Sequence, residues 1–152
     1  MAVLDAIENR LMDAVLGVLQ GIGSPPSGWL TSNPAPVVAE GIPANALSVT
    51  AAPLLFVDCA GTLPQQPEAA VGGHWLRVSF SIYALARTTR EACALKADVL
   101  RALFAAEQSF TQQFAALPVL GAFGWRTDYV KSGLACAQQD VSFDVYISHS
   151  AP

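Results

Sequence analysis

Nine residues near the middle of the sequence alternate between apolar and polar side chains. From Trp75 to Tyr83 the even-numbered positions are apolar, and Arg77, Ser79 and Ser81 lie between them. Successive side chains of a β-strand point to opposite faces, so this period of two predicts a strand with one buried and one polar face. Gln138–Ser148 repeats the pattern, with Val141, Phe143, Val145 and Ile147 facing in and Asp140, Ser142, Asp144 and Tyr146 facing out. The chain must therefore form a sheet that is covered on one side.

Two segments with helical periodicity can supply the cover. Residues 3–20 carry apolar side chains at spacings of three and four, namely Leu4, Ile7, Leu11, Val15 and Val18. A second apolar stripe extends from about Thr89 to Glu107, and Thr88 with Glu91 fits the capping box that begins many helices. Both stripes predict helices that lie on the apolar face of the sheet.

Further strands are predicted on either side of these helices. The continuous apolar run Leu54–Asp58 indicates a strand, which we expect to pair antiparallel with Trp75–Tyr83 through a glycine-rich loop. Gly124–Val130 is predicted as a third strand and Gln138–Ser148 as a fourth. Short extended pieces are expected around Val37–Ala39 and Leu47–Thr50.

The remaining segments are less regular. Phe110, Phe114 and Leu117 are spaced for a short helix that Pro118 would end. Residues 22–52 contain several prolines and are expected to be rich in loops. The order of elements predicts a single domain over residues 1–152 with an α+β fold: an antiparallel or mixed β-sheet of about four strands with two main helices packed on one face.

The composition indicates a protein that hides surface against partners. Hydrophobic residues make up 53% of the chain and charged residues 13%, against about 25% charged in an average soluble domain. Apolar stretches end within about ten residues, too short for the roughly 20 that a spanning helix needs, so no membrane segment or signal peptide is expected. The net charge is −4 and the eight basic residues are scattered, which argues against tight DNA binding. An oligomer is therefore expected.

The cysteines and histidines do not form a pattern typical of a catalytic or metal site. Cys59, Cys93 and Cys136 are widely spaced, which predicts reduced thiols used as small apolar residues and fits assembly in a cytoplasm. His74 and His149 are expected at the surface. We expect no catalytic residue, no metal and no cofactor.

One segment is similar to a catalytic motif. Leu54–Leu63 resembles the first motif of haloacid-dehalogenase-type phosphatases, in which a hydrophobic strand precedes Asp-x-Asp-Gly-Thr. Asp58 matches the nucleophile of that family, but Ala60 occupies the position of the general acid. The structural alternative is a strand that ends at Asp58 and is followed by a glycine turn.

The whole order of elements resembles the tail terminator, or tail completion, proteins of long-tailed phages. The resemblance lies in the N-terminal helix, the strand Leu76–Ala84 (LRVSFSIYA), the helix that starts at Thr88–Ala92 (TTREA) and the closing strand Asp140–Ser148. It covers most of the chain, except residues 22–52 and 108–123. It is a pattern of elements rather than of invariant residues.

The resemblance implies a structural role. Such proteins form a ring, usually a hexamer, on the last ring of the tail tube, stop its polymerisation and present a surface to neck or head-completion proteins. DNA would pass through the lumen without specific binding, and the protein would be located in the tail–neck region of the virion. The candidate interface residues are Trp29, Trp75, Arg77, Asp140, Asp144 and Tyr146, although core packing explains the aromatic ones equally well.

Three alternatives stay open from the sequence. The chain could be another head–tail connector or neck protein of a virion. It could be a degenerate phosphatase, in which Asp58 would be essential. It could also be a soluble binding domain that works as a monomer.

Overall fold

The computed structural model describes residues 6–22, 36–41, 53–64, 73–126 and 134–148. Within these ranges the chain forms α1 (Ile7–Leu19), β1 (Val37–Glu40), β2 (Leu54–Pro64), β3 (Gly73–Ala86), α2 (Thr89–Ala105), α3 (Glu107–Phe114), β4 (Ala116–Arg126) and β5 (Ala135–Ser148). This confirms the predicted α+β class. Trp29, His149 and the extended piece expected around Leu47–Thr50 lie outside the described residues.

The described strands form one mixed sheet in the order β1-β2-β3-β5-β4. β1 runs parallel to β2 and every other pair is antiparallel. The predicted pairing of β2 with β3 is confirmed, since Phe56 lies opposite Tyr83. The extended piece expected at Val37–Ala39 is the additional strand β1, so the sheet has five strands rather than about four. The two alternating strands, β3 and β5, are neighbours near its centre.

The helices cover one face of this sheet and share one apolar core with it. α1 contributes Leu11, Val15 and Leu19 and α2 contributes Leu95, Val99 and Leu103. The sheet contributes alternate residues of three strands, namely Leu55, Val57, Val78, Phe80, Ile82, Ala84, Val141, Phe143 and Val145. The alternation in the sequence therefore assigned the inward residues of β3 and β5 correctly.

Phe143 joins the layers of this core. Its side chain is fully buried. Its ring centroid lies 5.8 Å from that of Phe80 in β3 and 4.9 Å from that of Phe110 in α3. Such tilted aromatic pairs add specific packing to the burial of apolar area.

The start of α2 follows the predicted cap in part. The hydroxyl of Thr88 accepts a hydrogen bond of 3.1 Å from the backbone N–H of Glu91. The reciprocal bond of a capping box is missing, and Oε2 of Glu91 is buried without a hydrogen-bond partner among the described residues. Thr88 therefore acts as a simple N-cap.

The segment after α2 differs from the prediction. α3 ends at Phe114, and Ala115 adopts a left-handed conformation (φ 50°) that turns the chain directly into β4. Leu117 and Pro118 thus belong to a strand and not to a helix, and this strand begins at Ala116 instead of Gly124. Proline is tolerated there because β4 is an edge strand, where its missing N–H costs little. Residues 127–130 of the predicted strand lie outside the described residues.

Candidate interface on the uncovered face of the sheet

A bidentate ion pair links β3 and β5 on the face that the helices leave open. Nε and Nη2 of Arg77 donate hydrogen bonds of 2.7 and 3.0 Å to Oδ1 and Oδ2 of Asp144. The two residues are direct cross-strand partners. The hydrogen bond to Asp144 raises the pKa of Arg77 further, so the guanidinium group is charged at neutral pH. The pair presents a fixed dipole that remains partly open to solvent.

Two further polar pairs continue this ladder along the strands. The hydroxyl oxygens of Ser79 and Ser142 lie 2.9 Å apart, and Ser81 donates a bond of 2.8 Å to Oδ1 of Asp140. Nε2 of Gln138 donates to the same Oδ1 at 3.0 Å. The polar side chains therefore hold one another in place, which preorganises this face.

Apolar and aromatic side chains surround the ion pair. The rings of Trp75 and Tyr146, which face each other across β3 and β5, have centroids 5.5 Å apart. Leu63 of β2 lies opposite Arg77 and is 65% exposed. Leu117 of β4 lies opposite Asp144 and is 48% exposed. We call Leu63, Trp75, Arg77, Leu117, Asp144 and Tyr146 the open-face patch. Exposed aromatic, leucine and arginine side chains around a structured polar centre are typical of protein–protein interfaces.

The structure brings most of the predicted interface residues together. Trp75 and Arg77 of β3 and Asp140, Asp144 and Tyr146 of β5 all belong to the open face. Trp29, the sixth, is outside the described residues. The sequence alone did not predict the two leucines of the patch, because their places next to the ion pair depend on the register of β2 and β4.

The far end of the open face is apolar and closed. The rings of Phe56 and Tyr83 stack with centroids 4.6 Å apart. Leu134 and Cys136 are buried against them. These side chains form a small apolar cluster that is separate from the helix-side core.

A bulge in β4 shapes the edge next to this face. The register of β4 against β5 shifts between Leu120 and Phe123. Gln139 is 3% exposed, and its Nε2 donates bonds of 3.0 and 3.2 Å to the carbonyl oxygens of Gly121 and Ala122. A buried glutamine thus satisfies the backbone groups that the bulge removes from the ladder.

Substitution of Gly121 is expected to strain this bulge. A Cβ at Gly121 would lie 3.0 Å from both Cβ and the carbonyl oxygen of Asp140, so backbone must move. We expect Gly121→Ala to lower the free energy of unfolding by about 1–3 kcal/mol, measured by denaturant unfolding. Gly124→Ala is the matched control, because a Cβ at Gly124 meets no atom within 4 Å. Equal effects of the two substitutions would contradict the role given to the bulge.

The motif around Asp58 lies inside a strand. β2 continues to Pro64, with a bulge between Cys59 and Gly61, so the expected strand end and glycine turn were wrong. Gly61 lies in this bulge and has a φ of +153°. Asp58 lies opposite Ser81, which in turn lies opposite Asp140, so the backbones of the two aspartates are two strand spacings apart, about 9–10 Å. The mixed sheet also differs from the repeated strand–helix units of the phosphatases that the motif resembles.

Cys59 gives a prediction of pH dependence. It is exposed, and partial burial of its thiol raises the pKa above the ordinary value. A raised pKa lowers the fraction of thiolate, which is the reactive form, at neutral pH. We therefore expect iodoacetamide to alkylate Cys59 more slowly at pH 7–8 in the folded protein than in urea, with the difference closing at strongly alkaline pH. Peptide mapping separates Cys59 from Cys93 and Cys136, and equal rates in both states would contradict the shift.

The described residues contain neither a helix that could span a membrane nor a cluster of metal-binding side chains. None of the described helices is long and apolar enough to cross a membrane. The described residues also contain no group of three or more His, Cys, Asp or Glu side chains placed to hold a metal ion.

Comparison with known proteins relates this fold to a virus-like particle. No protein-family model and no curated protein sequence matches the chain. Among solved structures, the fold is similar to that of a chain in the virion of a native gene transfer agent particle, with a TM-score of 0.51 and 12% sequence identity. The match covers 92% of this chain and 90% of that chain. At this identity the likeness establishes a shared fold.

Proposed function

We propose that the protein is a non-enzymatic structural subunit of a phage-like virion and acts as a tail terminator. The observation that carries the proposal is the fold, which a chain of a virion particle shares over nearly its whole length. The low charge and the order of elements support the same role, since both are expected of a subunit that hides surface in an assembly.

In this proposal the protein forms a ring, expected to be a hexamer, that sits on the last ring of the tail tube. The open-face patch is the surface proposed to contact the tail tube protein. Trp75, Tyr146 and the two leucines would lose water on contact, which favours binding. The Arg77–Asp144 ion pair would set the orientation of the tube protein on the patch. The opposite side of the ring would receive a neck or head-completion protein. The complex would assemble in the host cytoplasm and remain in the tail–neck region of the virion.

The ring would let DNA pass without holding it. The chain carries a net charge of −4. Negative charge near a lumen repels phosphate groups and disfavours adhesion of DNA. No step of this function needs a cofactor.

A polymerisation assay tests the proposed function. Purified tail tube protein is allowed to polymerise with and without this protein, and tube lengths are measured by electron microscopy. We expect added protein to shorten the tubes in proportion to its molar ratio and to appear as a disc at one end. Unchanged tube lengths and bare ends at saturating protein would contradict the tail-terminator role.

The enzymatic alternative has its own test. Phosphatase activity with magnesium that disappears in Asp58→Asn would contradict the non-enzymatic role. Asp140→Asn is the matched control, because it removes a second carboxylate from the same face of the sheet.

A further inference from the structure

The two edges of the sheet differ on the helix-covered side. α2 and α3 leave the second half of β4 uncovered, where Leu120, Phe123 and Trp125 are 57%, 43% and 44% exposed. The rings of Phe123 and Trp125 contact each other, with centroids 5.6 Å apart. Three large apolar side chains in a row at an edge are more than scattered surface hydrophobics and indicate a contact surface.

The ammonium group of Lys96 lies over this apolar row. Nζ of Lys96 in α2 lies 4.0 Å from the ring centroid of Phe123, which is a cation–π contact. We call Lys96, Leu120, Phe123 and Trp125 the β4 strip. It combines apolar area with one positive charge.

The opposite edge carries the complementary charge. α1 and β1 form a recess of about 290 Å³ lined by Asn9, Met12, Asp13 and Glu40. Asp13 and Glu40 are exposed. Glu40 lies opposite Val57, a residue of the helix-side core, so the recess opens on the same side of the sheet as the β4 strip. We call it the acidic recess.

We infer that the β4 strip of one copy of this chain docks against the acidic recess of the next copy. This inference rests on the proposed ring and names the contact that builds it. The strip contributes one cation and the recess two carboxylates, and the apolar row loses water on contact. A strip that met a second strip would instead bring two Lys96 ammonium groups together. Different patches in contact make a head-to-tail assembly, which closes as a ring when the rotation between copies fits.

The contact is made by side chains rather than by an added strand. Pro118 has no N–H to donate, and the bulge at Gly121 and Ala122 interrupts the backbone ladder of β4. Both features disfavour pairing of this edge with another strand. The side chains of Leu120, Phe123 and Trp125 remain exposed along this edge.

Complementary variants test the head-to-tail contact. One variant removes the strip by Phe123→Ser and Trp125→Ser, and the other removes the recess by Asp13→Lys and Glu40→Lys. All four residues are exposed, so thermal unfolding should confirm that both variants fold. In sedimentation at millimolar concentration, and on tail tubes, the unaltered chain is expected to assemble and each variant alone to stay monomeric. A mixture of the two variants is expected to stop at a 1:1 dimer, because each brings one intact surface.

Charge reversal tests the ionic part of the contact. Lys96→Glu is expected to weaken assembly about 10-fold or more, and adding Glu40→Lys to the same chain is expected to restore it. Carbodiimide coupling of isotope-labelled with unlabelled protein should join Lys96 of one copy to Asp13 or Glu40 of another.

The outcomes separate this inference from the proposed function. Assembly that neither pair of substitutions affects, or a strip variant alone that still forms rings, overturns the contact and leaves the ring in place. If the unaltered chain stays monomeric in solution and on tail tubes, the contact and the ring are both overturned.

Discussion

Phe143→Ala is expected to lower the free energy of unfolding by about 3–5 kcal/mol. The ring is fully buried between Phe80 of the sheet and Phe110 of α3. Truncation removes apolar burial and leaves a cavity that neighbours on two different layers cannot fill. A single domain is usually stable by about 5–15 kcal/mol, so the substitution removes a large share of the stability. Chemical denaturation followed by circular dichroism measures the loss.

Phe104→Ala is the matched control for this prediction. Phe104 lies on α2 and is 39% exposed, so the same truncation removes much less buried area. We expect a loss under about 1 kcal/mol. Comparable losses for the two phenylalanines would show that Phe143 does not join the layers of the core.

Trp75→Ala is expected to abolish capping of tail tubes without unfolding the protein. Trp75 is 38% exposed and packs on Tyr146, so its truncation removes an aromatic anchor from the open-face patch. Loss of a central aromatic anchor typically costs about 2 kcal/mol or more of binding free energy, which is about 30-fold in affinity. The cross-strand contact that is lost contributes only about 0.2–1 kcal/mol to folding. Tube binding and thermal unfolding, measured on the same preparation, separate the two effects.

Ser142→Ala is the control on the same face. Its hydroxyl contacts Ser79 and lies outside the patch. We expect tube capping to be nearly unchanged. Normal capping by Trp75→Ala would show that the patch does not contact the tube, and equal loss in both variants would point to a general disturbance of the face.

The sequence predicts elements best where a periodic pattern and the local packing agree. Between Trp75 and Ile82 in β3 and between Asp140 and Ile147 in β5 the side chains alternate, with apolar residues on the helix side and mostly polar residues on the other. α1 and α2 likewise bury the stripes that their spacing predicts. In these segments the side chains alone decide which face is covered.

β4 shows where sequence reasoning failed. Its Pro118 is typical of a helix end, so a short helix was expected before it, and a strand was expected only from Gly124 onward. The segment becomes a strand because β5 offers an unpaired edge, and because the buried side chain of Gln139 satisfies the bulge. Both are tertiary contacts, so no local sequence pattern could predict them.

The residues of the candidate interface were likewise predicted only where they lie on a regular predicted strand. The alternating pattern predicts the outward positions of Arg77, Asp144 and the Trp75–Tyr146 pair, because each is an outward residue of a predicted strand. It does not predict the positions of Leu63 and Leu117. The strand that contains Leu63 was predicted to end too early, and the strand that contains Leu117 was predicted to start too late. The β4 strip was missed for the same reason.

Electron microscopy of particles assembled with and without this protein tests the central claim most directly. With the protein, we expect tails of uniform length with a sixfold ring on the tail tube, joined to heads. Without it, we expect overlong tails that lack heads. Tails of normal length in its absence would contradict the claim, and a ring found on the portal instead of the tube would assign the protein to the neck.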